Sequence, residues 1–186
     1  MTPTGPQSSS PRVALLKILE VPDTMLRKIS APVMCVDAAT RNLIDNMFAT
    51  MYNAPGIGLA AIQVGAVERV VVIDLQREDE DGVAIKEPRA FINPELIEAS
   101  PELSIYNEGC LSIPDQYADV ERPARVRARW LDGDGAPHDD WFDGLMATCI
   151  QHEIDHLNGV LFIDHLTRLK RDILLRKLAK ARRDGK

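Results

Sequence analysis

Leu43, Ile44, Met47, Phe48 and Met51 recur at three- and four-residue spacing, the period of a helix with one buried face. Asp37, just ahead of them, suits the N-cap, and Pro55-Gly56 stops the element. Upstream, Asp23 is placed to cap a shorter helix containing Met25, Leu26 and Ile29, ended by Pro32. The β-branched run Arg69-Val-Val-Val-Ile-Asp74 reads as a buried strand. Residues 76–89, rich in Glu and Asp, read as a surface loop. Arg125-Val-Arg-Ala-Arg-Trp130 alternates like a half-buried strand, Asp132-Gly-Asp-Gly135 is a hairpin turn, and a partner strand covers 138–142. A helix follows over 145–158, with Gly159 as its stop, and a last helix covers 167–183. Helices at both ends of a strand-rich middle predict a single α+β domain. It begins near Val13, behind a Pro-, Gly- and Ser-bearing tail over 1–12.

Composition narrows the function classes. The 186 residues carry a formal net charge of −6, which excludes a generally basic nucleic-acid binder and gives no reason to expect specific DNA binding. That average hides a division. From Thr167 onward nine Lys or Arg face two acidic residues, a surplus of seven, so the rest of the chain carries −13. Three cysteines do not make a disulfide framework; they fit a reducing compartment, where a cysteine serves as core residue, ligand or nucleophile. No secretory leader is expected in the first residues. The longest uncharged stretch, 46–67, has the length of a membrane span but holds Asn53, Pro55, Gly56, Gly58, Gln63 and Gly65, so no membrane role is expected.

The strongest chemical signal is Gln151-His152-Glu153-Ile154-Asp155-His156. Two histidines four apart lie one above the other on a helix and can grip one metal ion, with Glu153 on a neighbouring face as general base. Against a zinc protease stand two facts: the position six after His156 is Phe162, and no Glu follows Glu153. Cys35, Cys110, His138, Cys149 and His165 remain as third ligands. Cys149 shares the histidines' helical face but would crowd a tetrahedral site; Cys110, after the pliable Gly109, is favoured. Gly56-x-Gly58-x-x-Ala61 with Asp74 downstream also fits a dinucleotide fingerprint, but an amphipathic helix, not a strand, precedes it.

Gly56-Ile-Gly-Leu-Ala-Ala-Ile-Gln63, Glu108-Gly-Cys-Leu-Ser112 and Gln151-His-Glu-Ile-Asp-His156 together resemble the three motifs of the peptide deformylases, in that family's order. The resemblance extends from about Val13 to the final helix and is nearest the bacterial type 1 branch. It implies one divalent ion on Cys110, His152 and His156, with Fe2+ native and Zn2+, Ni2+ or Co2+ as alternatives. It implies an activated water that attacks the formyl carbon of an N-formylmethionyl nascent peptide, releasing formate. Glu153 is then general base and acid, and the Gln63 amide and Leu111 backbone N–H stabilise the oxyanion. Ile57, Gly58, Gly109, Tyr106, Leu145, Thr148 and Cys149 bind substrate; Glu108 and Arg122 steady the Cys110 loop. Tyr117 departs from the Arg that some relatives carry. The family resemblance also implies a cytoplasmic location and a possible ribosome contact through the basic C-terminal helix. The rivals are a metalloprotease and a non-catalytic metal- or ribosome-binding protein.

Overall fold

The computed structural model describes residues 13–184, so the expected tail over 1–12 lies outside the described residues. The architecture is α+β, with three α-helices and nine strands among the described residues. Helix α1 (Ala38–Asn53) starts where Asp37 accepts a hydrogen bond from the Thr40 N–H at 2.9 Å. Strands β1 (Gly58–Ala60) and β2 (Val70–Ile73) follow, then the short hairpin β3 (Arg77–Glu78) and β4 (Ala84–Ile85). The long strands β5 (Arg89–Ala99), β6 (Leu103–Cys110) and β7 (Ile113–Pro123) precede the hairpin β8 (Arg125–Leu131) and β9 (Pro137–Asp143). Helices α2 (Gly144–Leu157) and α3 (Arg168–Asp184) complete the chain.

An antiparallel sheet runs in the order β1-β2-β5-β8-β9, and β6 pairs only with β7. Strand β2, between β1 and β5, is buried on both faces, which is why four consecutive β-branched residues suit it. Val70 and Val72 meet Ile44, Met47 and Met51 of α1 on one face. Val71 and Ile73 meet Ala147, Ile150 and Ile154 of α2 on the other, together with Phe91, Trp130 and Phe142. Each fully buried aliphatic side chain there contributes about 1.5–3 kcal/mol relative to exposure. The α2 helix is thus held by a sheet on one side, and the β6–β7 hairpin closes over its other side. Leu174 and Leu178 tie α3 to Ile113 and Val120 of that hairpin and to Leu161, Phe162 and Ile163.

Two local expectations are corrected. The short helix after Asp23 is a single 3-10 turn, Thr24–Arg27; Leu26 is buried, but Ile29 lies beyond it and is 76% exposed. The charged 76–89 segment contains the β3–β4 hairpin, closed by an ion pair between Arg77 and Glu87.

Candidate active site

Helix α2 brings its chemistry to a buried position. His152, Glu153 and His156 are all buried, with the imidazole centroids of the two histidines 4.9 Å apart. The end of β6 delivers Cys110, whose Sγ is 3.2 Å from His156 Nε2. Ligand atoms of Cys110, His152 and His156 all lie within 4.8 Å of one another, and this is the one such group of three among the described residues. A thiolate with two imidazoles is a donor set that suits Zn2+, Fe2+, Ni2+ or Co2+, and three protein donors leave a position open for a reactant. The residues present therefore fit a divalent ion.

A second ring of contacts fixes these groups. His152 Nδ1 donates to Glu108 Oε2 at 2.9 Å, which turns Nε2 toward Cys110 and His156. Arg122 grips Glu108 through Nε at 2.6 Å and Nη2 at 3.1 Å, and donates through Nη1 to Asp155 Oδ2 at 2.8 Å. That same oxygen accepts from His165 Nε2 at 2.8 Å. Burial pushes the Glu108 carboxyl up, but His152 and Arg122 outweigh it and hold it below the usual range. Burial likewise opposes the charged His152 ring, yet Cys110 and Glu108 keep its pKa well above the ordinary value. Burial, and after it the neighbouring His152, holds the His156 pKa well below the ordinary value.

Glu153 is different. Burial pushes its carboxyl up to about 7, and Oε2 has no partner among the described residues. Gly58 of β1 packs directly on it: a Cβ there would collide with Glu153 Oε1 and approach Cys149 Sγ to 2.9 Å. The glycine is needed for space. Gln63, in the turn after β1, anchors its side-chain oxygen on the Ala60 N–H at 2.8 Å. Its amide nitrogen is thereby presented to Ser112 Oγ at 3.1 Å and to Cys110 Sγ at 3.6 Å. Leu111 stands between Cys110 and Ser112, with its side chain against Gly56.

A cavity of about 140 Å³ opens beside these groups. Ile57, Tyr106, Leu145, Thr148 and Cys149 line it, as do Gln63, Gly109, Leu111, His152 and Glu153. Tyr117, 66% exposed, lays its ring on Gly109, across the hairpin from it. A larger cleft of about 790 Å³, bounded by Trp130, Asp132 and His138, contains none of the Cys-His-His group.

The other candidate ligands are elsewhere. Cys35 is exposed, His138 pairs with Asp132, and His165 pairs with Asp155. Cys149 faces Gly58, and burial pushes its thiol well up, keeping it neutral. Sequence reasoning missed Ser112 and Asp155, whose partners lie 49 and 33 residues away in the chain. Only the tertiary pairing reveals them.

The family model for Polypeptide deformylase matches residues 15–172. The chain is 62% identical over 175 residues to a peptide deformylase of Rhizorhabdus wittichii, covering 94% of this chain and 99% of that protein. A crystal structure of a peptide deformylase from Legionella pneumophila superposes with a TM-score of 0.84 at 43% identity, over 92% of this chain and 98% of that one. One from Synechococcus elongatus, in complex with actinonin, gives 0.80 at 45% identity, over 87% and 86%. The chain belongs to the polypeptide deformylase family.

Proposed function

We propose that this chain carries out its family's reaction, the hydrolytic removal of formate from the N-terminal formylmethionine of new polypeptides, through the group of residues around α2. The observation that carries this reading is the buried Glu153 carboxyl, whose Oε2 has no hydrogen-bond partner among the described residues, beside the Cys110–His152–His156 group at the wall of a cavity. Those three residues hold one divalent ion. Bound there, the ion supplies Lewis acidity that activates water and polarises the formyl carbonyl. Fe2+ is the proposed resident ion; Zn2+, Ni2+ and Co2+ are substitutes that the same donors accept.

Glu153 accepts the water proton and returns it to the departing amine, a role suited to a carboxyl held near neutrality. The Gln63 amide and the Leu111 N–H donate to the developing oxyanion. The methionine side chain enters the cavity between Ile57, Tyr106, Leu145, Thr148 and Cys149, with the His152 ring as one wall. The peptide backbone runs along Gly58 and Gly109 by strand addition. Glu108 and Arg122 hold His152 and the Cys110 strand in place.

Residues 13–186 form the catalytic domain in this reading. The protein works in the cytoplasm, where formylated chains arise, and no helix among the described residues is long and apolar enough to cross a membrane. The basic α3 is a candidate ribosome contact. Arg171 and Arg182 are committed to Asp164 and Glu20, whereas Lys170, Lys177, Lys180 and Arg183 make no ion pair among the described residues and can meet phosphate. Loss of α3 residues should then weaken ribosome co-sedimentation at low salt; unchanged co-sedimentation refutes the contact.

The direct test is formate release from formyl-Met-Ala-Ser by anaerobically purified, iron-loaded protein, against acetyl-Met-Ala-Ser as control. Release from the formyl peptide supports the reading. A metal-loaded protein that releases none is a binding protein instead.

A further inference from the structure

One wall of the cleft is the Gly56–Ile57 segment, which lies between α1 and β1, belongs to neither and packs against the Leu111 side chain. It is held from behind by two hydrogen bonds. The Asp74 N–H donates to the Ile57 carbonyl at 2.9 Å, and Gln76 Nε2 donates to the Gly56 carbonyl at 2.7 Å. Gln76 adopts a φ of 49°, a conformation that side-chain-bearing residues rarely take.

Asp74 explains how that conformation is maintained. It directly follows β2, is fully buried, and makes no salt bridge among the described residues. Its Oδ1 accepts from the N–H groups of Gln76 at 3.1 Å and Glu87 at 3.2 Å, and its Oδ2 accepts from the Tyr52 hydroxyl at 2.7 Å. One carboxylate thus gathers the end of α1, the turn after β2 and the base of the β3–β4 hairpin. The result is a single carboxamide aimed at a single carbonyl of the cleft wall. Backbone strain kept in place by its surroundings points to a purpose beyond packing.

We infer that Gln76 is a positioning residue for peptide binding: its carboxamide sets the place of the Gly56–Ile57 wall, and so the width of the cleft that the formylated peptide enters. The inference rests on the deformylase reading above. Gln76 touches neither the substrate cavity nor the Cys-His-His group, so its effect falls on binding, not on the chemical step.

The test compares the iron-loaded full chain with its Gln76→Ala and Gln76→Gly variants on formyl-Met-Ala-Ser. Both substitutions remove the amide; glycine also removes the steric objection to positive φ. KM should rise about threefold to tenfold in both variants, with kcat and metal content within about twofold of wild type. The glycine variant should melt no lower than the alanine variant. An unmoved KM in both overturns the assignment. So does a KM restored by glycine, because the backbone conformation and not the amide would then matter, and so does a fall in kcat at constant KM. A wild-type chain that releases no formate contradicts the deformylase reading itself. In that case the affinity for the peptide Met-Ala-Ser, measured by calorimetry, decides for Gln76: equal binding by all three proteins, or none by any, refutes it.

Discussion

His152 donates its Nδ1 proton to the buried Glu108 carboxylate at 2.9 Å. The carboxylate is ionised and can only accept, so the relationship also determines which ring nitrogen is free for a metal. Glu108→Ala removes that restraint and leaves Arg122 with Asp155 alone. It should destabilise the protein by about 3–5 kcal/mol in chemical denaturation, since a buried charge loses its main partner. Metal affinity, measured by competition with a chelator, should drop about 10–100-fold.

Gly58 and Glu153 occupy adjoining space, with no room for a methyl group between them. Gly58→Ala should cost about 1–3 kcal/mol in thermal or denaturant unfolding through overpacking. Displacement of the Glu153 carboxylate should lower turnover by about 10²-fold. Wild-type kinetics in this variant would show that the carboxylate can move without consequence.

Docking of α3 rests on apolar burial. Leu178 is 4% exposed against Leu161–Ile163 and the β7 side chains, and Leu178→Ala should destabilise by about 2–5 kcal/mol. Arg182 reaches Glu20 and the Val21 carbonyl at the surface, so Arg182→Ala should change stability by about 0–1 kcal/mol. Paired denaturation curves check the ordering.

Tyr52 and Asp74 make stability depend on pH at both extremes. Burial raises the Tyr52 hydroxyl from 10.0 to about 12, and its bond to Asp74 adds to this. The folded state therefore prefers the neutral phenol. The contribution is whole below pH 10 and is lost as pH rises toward about 12. For Asp74, burial pushes upward, but the Tyr52 hydroxyl and the Gln76 and Glu87 N–H groups prevail and lower it from 3.8. Its contribution is present above that pH and fades as pH falls through the depressed value. Wild type should lose stability relative to Tyr52→Phe above pH 10, and relative to Asp74→Asn in acid, in pH-resolved denaturation.

Legibility from sequence followed the range of the interactions. Helix α1 was readable because its apolar period and its Asp37 cap are local, and β8 because Val126, Ala128 and Trp130 alternate toward one core. The i, i+4 histidines were readable for the same reason. Strand β5 was not: Pro94, and Asn93 at φ 52°, interrupt its pattern, and the pairing with β8 shifts register there. The long β6 and β7 hide behind half-exposed polar faces. Spacing alone left Cys110 and Cys149 in competition, because the choice depends on where the end of β6 meets α2. Asp74 looked like the last residue of a strand; its role needs Tyr52, Gln76 and Glu87, brought to it by the end of α1, the turn after β2 and the base of the β3–β4 hairpin.

The account centres on Glu153 as the group that moves protons next to a metal held by Cys110, His152 and His156. The most direct measurement is formate release from formyl-Met-Ala-Ser by Glu153→Gln at metal occupancy equal to wild type. The variant should keep its metal and its KM while kcat falls by about 10²–10⁴-fold. A metal-replete Glu153→Gln whose kcat stays within about tenfold of wild type contradicts the account.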